Sequence, residues 1–103
     1  LNPDITYAFC SDTIFNLNIT KQLMDCDLLY HESTFLKKDE NFAKKTFHST
    51  AEQAAIIAKN SNVKKLILGH FSSRYNDLEL FLDEAKTVFN NCELALENKS
   101  FVF

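Results

Sequence analysis

The chain has a single glycine among 103 residues, where average usage would give about seven. That glycine, Gly69, sits beside His70, so a specific task is expected of it. The three cysteines cannot form a fully paired intramolecular set. They show no C-x-x-C spacing, which excludes a metal knuckle or a redox pair of that kind. Reduced thiols in a cytoplasmic protein are the expectation. A net charge of −3 leaves no basic field to draw nucleic acid from a distance. Lys37-Lys38, Lys44-Lys45 and Lys64-Lys65 read as solvated faces in preference to a phosphate track. No apolar run is long enough to span a bilayer, and no signal peptide is visible. Repeats, low-complexity tracts and linkers are also lacking. The start at Leu1-Asn2-Pro3, without Met, is what a piece of a longer protein would show.

What is present belongs to one small globular domain, 46% hydrophobic and 24% charged. Residues 5–10 read as a buried strand, about 18–26 as a short helix, and 27–31 as a second strand. The lysine-rich stretch from Phe35 to Phe47 reads as a loop. Ser49 with Glu52, or Thr50 with Gln53, has capping-box spacing and predicts a helix start. Val63 to Gly69 is a third strand. Asn76 with Glu79 predicts another cap, and Leu78, Phe81, Leu82, Ala85, Val88 and Phe89 follow at helical spacing. The end reads as a hairpin, with strands at 93–96 and 101–103. Alternating strands and helices predict an α/β fold with a mostly parallel sheet.

Function gathers at the carboxyl ends of strands in such sheets. Four polar clusters lie there: Cys10-Ser11-Asp12-Thr13, His31-Glu32-Ser33-Thr34, His48-Ser49-Thr50-Ala51, and Gly69-His70-Phe71-Ser72-Ser73-Arg74. Asp12 is a candidate metal ligand, although composition alone favours a turn or cap role, since aspartate is common in turns. Imidazole nitrogen suits zinc, so His70 is another candidate ligand, and Gly69 would let the backbone bend there. Taken alone, His70 reads more readily as a buried, hydrogen-bonded histidine. Glu32 and His48 form a candidate dyad, since a carboxylate fixes the imidazole tautomer and such a His can protonate a leaving oxygen; separate surface residues are the alternative. His48 also precedes a helix N-terminus, which favours phosphate; Ser49 and Thr50 are the substrate-binding candidates there. Arg74 is the chain's only arginine. It could grip phosphate through two parallel hydrogen bonds, or make an ordinary surface ion pair.

These clusters, extended to His31-Glu32-Ser33-Thr34-Phe35 and to Gly69 through Tyr75, closely resemble the later motifs of ribonuclease Z. That family has the metallo-β-lactamase fold and trims the 3′ ends of precursor tRNA. Order, spacing and residue type agree over nearly the whole chain. Ser33 stands where the family commonly has Ala. The resemblance implies that Asp12 bridges two zinc ions and that His70 is the last histidine ligand. It implies that His48 is the proton donor or phosphate contact, with Glu32 as its partner. It also implies that Arg74 lies in the loop near the tRNA 3′ end, and that His31 is structural.

The family's H-x-H-x-D-H motif is nowhere in these residues, and neither is its tRNA-holding arm. The expectation is therefore the C-terminal half of a metallo-β-lactamase αββα sandwich, from a two-zinc endoribonuclease. Its substrate would be precursor tRNA, and the fragment alone would be inactive. Another hydrolase of this fold and a non-catalytic interaction module are the alternatives. A homodimer is expected too, through an apolar sheet face of Phe9, Leu29, Leu68, Leu94 and Phe101.

Overall fold

Four short apolar segments pair into one sheet in the computed structural model of the chain, which describes residues 5–11 and 13–95. They are β1 (Tyr7–Cys10), β2 (Leu28–Glu32), β3 (Lys65–Gly69) and β4 (Cys92–Leu94). Sheet order follows chain order, and every pairing is parallel. Parallel neighbours require crossovers, and helices fill them. Between β1 and β2 run a 3-10 turn, Leu17–Ile19, and α1 (Thr20–Leu23). Between β2 and β3 run α2 (Glu40–Lys45) and α3 (Ala51–Asn60); α4 (Glu79–Lys86) joins β3 to β4. The expected α/β architecture is the observed one.

Strand alternation divides the sheet into two unlike faces. Leu29, Leu66, Leu68, Cys92 and Leu94 share one face and merge with Ala54, Ala55, Ala58, Phe81 and Ala85 of the helices. The alanines on α3 let that helix approach closely. The other face carries Phe9, Leu28, Tyr30 and Ile67, none of which joins that core. Phe9 there is 73% exposed. The expectation that Leu29, Leu68 and Leu94 line an open face is thus corrected by the register. Ala8, Leu29 and Leu66 lie in one row, and Leu68 pairs with Leu94, all beneath the helices. Phe9, Tyr30 and Ile67 form the row on the opposite side. Phe101 lies outside the described residues.

Three element assignments also change. The stretch 35–47 is not a loop: a 3-10 turn, Lys37–Asp39, leads into α2, because buried Leu36 and Ala43 anchor it while its lysines stay in water. Asn76 caps nothing; the Asp77 carboxylate accepts from the Glu79 N–H at 3.0 Å instead. The first hairpin strand exists as β4, but it pairs in parallel with β3. The turn and second strand of that hairpin lie outside the described residues.

Gly69 also acts differently from expectation. Its φ is not positive; His70 makes the bend instead, at φ 59°. Gly69 is needed because the Tyr30 ring lies over it on the open face. A Cβ at Gly69 would fall 2.5 Å from Tyr30 Cζ. Gly69→Ala is therefore expected to cost about 1–3 kcal/mol by overpacking. The double variant Tyr30→Ala/Gly69→Ala should recover most of that increment, and urea denaturation of the four proteins in the cycle measures it.

Candidate active site

A carboxylate taken out of water must be given donors, and Glu32 has four. It ends β2 and is 0% exposed. Its Oε1 accepts from the Thr13 N–H at 2.6 Å and from His48 Nδ1 at 2.8 Å. Its Oε2 accepts from the Thr34 hydroxyl at 2.5 Å and from the Ser49 N–H at 3.1 Å. Each oxygen is thus fully engaged. An ionised carboxylate can only accept, so His48 carries its proton on Nδ1 and turns Nε2 away from Glu32.

The same reasoning sets His70. The Thr34 hydroxyl has one proton, and it goes to Glu32. Its 2.9 Å contact with His70 Nδ1 must then be donated by the imidazole. In the neutral ring, Nε2 of His70 is therefore the unprotonated nitrogen. The rings of His48 and His70 lie 5.3 Å apart between centroids. Sequence reading grouped Thr34 with its neighbours but assigned it no role. Only its position between a carboxylate and an imidazole reveals one.

The surrounding backbone holds these loops together. The Phe35 N–H bonds the Ser49 carbonyl, the Ala51 N–H bonds the Phe35 carbonyl, and the Ser72 N–H bonds the Thr34 carbonyl. Thr50 caps α3 in a full capping box with Gln53. His70 and Phe47 both have left-handed φ, 59° and 60°. Such conformations cost non-glycine residues about 1–3 kcal/mol and persist where the surroundings over-determine them.

The other candidates divide. Ser49 and Thr50 are both 0% exposed. The Ser49 hydroxyl donates to the Thr13 carbonyl at 2.7 Å. Both hydroxyls are thus engaged within the chain, that of Thr50 accepting from the Gln53 N–H at 3.1 Å. Arg74 is held over the rings of Phe42 and Phe35, 4.5 and 5.4 Å from their centroids, with Asp39 3.7 Å away. Phe35 also touches His48 at 6.3 Å, so one ring separates Arg74 from the dyad. Asp12 lies outside the described residues. His31 is buried, and its Nδ1 is 2.7 Å from the Glu32 carbonyl. Its Nε2 has no hydrogen-bond partner among the described residues. Burial holds its pKa below the usual 6.5. The Cys92 thiol is pushed up to about 11 by burial, so it stays protonated.

Glu32, His48 and His70 offer donor atoms within 4.8 Å of one another, a set able to hold a metal ion. The hydrogen bonds decide how each member fits. Glu32 is saturated, and so acts as an orienting group. His70 fits a ligand well: its ring is exposed, and Nδ1 is anchored on an oxygen, as metal-bound imidazoles usually are. Beside His48 opens a cleft of about 360 Å³, lined also by Ile14, Phe15, Asn41, Lys44 and Gln53.

No protein-family model matches the chain. Among solved structures, the metallo-beta-lactamase fold protein YhfI of Bacillus subtilis superposes with a TM-score of 0.84 at 23% identity. The match covers 92% of this chain and 39% of that one. The sheet with its one-sided helices is therefore part of a metallo-β-lactamase fold. Within that class, the sequence is similar to ribonuclease Z. It is 52% identical over 97 residues to the ribonuclease Z of a Bacteroides fragilis strain, covering 94% of this chain and 32% of the relative. Human tRNase Z, short form, superposes with a TM-score of 0.58 at 32% identity, over 84% of this chain and 27% of that one. The chain thus spans about a third of the length of the curated relatives it matches.

Two outcomes test the local physics. Thr34→Val keeps the shape but removes a donor to Glu32 and the acceptor for His70. It should cost about 1–3 kcal/mol, and nitrogen NMR shifts should show His70 losing its Nδ1–H preference. His31 resists protonation when folded, whereas the unfolded chain takes up a proton below about 6.5. Stability should therefore fall as pH drops from there, by at most about 1.4 kcal/mol per pH unit for this group. Urea midpoints at pH 7 and pH 5 should differ less for His31→Phe than for the unaltered chain.

Proposed function

We propose that this chain is the later part of a zinc-dependent endoribonuclease that removes 3′ trailers from precursor tRNA and leaves a tRNA 3′-hydroxyl. The observation that carries the reading is the pair of buried Glu32 and half-buried His48, in a chain half identical to ribonuclease Z across nearly its whole length. His48 presents Nε2 away from Glu32. From there a protonated ring can donate to the oxygen that leaves the cleaved phosphodiester. Glu32 holds the ring at the angle this requires. Ser49 binds Glu32 through its N–H and ties Thr13 to the same loop, so it acts by positioning.

His70 and Asp12 are the residues of this chain proposed to hold zinc, with two ions in the intact site. Bound zinc supplies an activated water and stabilises the leaving oxygen. Two protein ligands are fewer than the three or four that a zinc site uses. On this reading the remaining ligands lie in another part of a longer enzyme, and the 103 residues alone are inactive. Arg74 has a part in the 3′-end loop, with its guanidinium braced by Phe42 and Phe35. A cytoplasmic setting accords with three free thiols. No helix among the described residues is long and apolar enough to cross a membrane.

The test is a trailer-bearing precursor tRNA incubated with the full-length protein and zinc or manganese. Cleavage that leaves a 3′-hydroxyl is expected; activity confined to small phosphodiesters would favour another hydrolase of this fold. His48→Ala should lower kcat by about 100-fold or more while changing tRNA affinity little, because proton donation acts in the transition state. The isolated chain should also dimerise through the sheet face that carries the exposed Phe9. Sedimentation at micromolar concentration would reveal it, and a clean monomer would exclude it.

A further inference from the structure

The turn that delivers His48 is a Schellman motif. His48 N–H bonds the Ala43 carbonyl at 2.8 Å, and Phe47 N–H bonds the Lys44 carbonyl at 3.4 Å. This closure needs a left-handed residue between the helix cap and His48, and that position is usually glycine. Phe47 occupies it at φ 60°. The motif uses only the backbone of residue 47. Glycine would make the same two bonds without the clash of a Cβ against the carbonyl. The chain instead places a phenyl ring there and leaves it 68% exposed. Folding does not explain a strained aromatic with so little packing.

Its surroundings supply a reason. Phe47 directly precedes His48. Lys44 and Lys45 on the same turn are exposed, and the ion pairs among the described residues engage other cations. Lys44 lines the cleft together with His48 and Glu40. An exposed ring flanked by cations is how single-stranded nucleic acid is held, with a base on the ring and phosphates on the cations. In a chain of net charge −3, these lysines are a local supply of positive charge beside the dyad.

We propose that Phe47 is a stacking platform for an unpaired nucleobase next to the phosphate handled by His48, with Lys44 and Lys45 meeting the neighbouring phosphates. The proposal rests on the reading of the site as RNA-cutting, and it makes Phe47 a residue that trades stability for substrate grip. The full-length protein, its Phe47→Gly and its Phe47→Trp variants are compared on a trailer-bearing precursor tRNA and on a chromogenic nitrophenyl phosphodiester. Phe47→Gly should raise Tm by about 2 °C or more as strain is relieved. It should raise KM for the RNA about ten-fold and leave kcat/KM for the small diester unchanged. Phe47→Trp should keep the KM of the unaltered enzyme. A lower Tm in Phe47→Gly would mean that protein covers the ring, and would overturn the proposal. An unchanged KM in an enzyme that cuts RNA would remove the stacking role alone. An unaltered protein that cuts the small diester but no RNA would remove the reading of the site, and this inference with it.

Discussion

A carboxylate with no exposure to water is tolerated only when donors replace the lost hydration, and in this chain that requirement organises everything near the site. Glu32 is supplied from three directions. Thr13 comes from the loop after β1, Thr34 from the exit of β2 itself, and His48 with Ser49 from the loop before α3. Withdrawing any one donor would leave a buried charge short of a partner, so the three segments are tied to a common point. The tautomers of His48 and His70 follow from it. His48 is set directly, and His70 through the single proton of Thr34.

The scaffold makes that arrangement possible by its asymmetry. Helices cover one face of a parallel sheet with a dense core of alanine, leucine and phenylalanine, which fixes the strand ends. The candidate site is then carried by loops that leave those ends, where backbone bonds join the 35, 50 and 72 regions. Strained conformations at Phe47 and His70 lie on either side of the dyad. The two imidazoles lie 5.3 Å apart, with His70 exposed. Arg74, braced on Phe42 and Phe35, extends the same ordered surface outward from His48.

The sequence by itself determined the elements whose signal is local. The strands at 7–10, 28–32 and 65–69 were legible as short apolar runs, and the start of α3 as a capping box, because burial periodicity and cap chemistry act within a few residues. The four polar clusters, their order and their likeness to ribonuclease Z were legible for the same reason. Tertiary structure decided what depends on partners distant in the chain. Which strand face is covered follows from parallel register, so Leu29, Leu68 and Leu94 went under helices while Phe9 stayed open. The α2 helix formed because Leu36 and Ala43 found a core, although its own lysine-rich residues argue weakly for one. Gly69 answers to the Tyr30 ring on the neighbouring strand and not to a bend of its own. The role of Thr34 could emerge only once folding brought Glu32 and His70 to either side of one hydroxyl. Hydrogen-bond direction there is a property of three residues together, and no single stretch of sequence contains it.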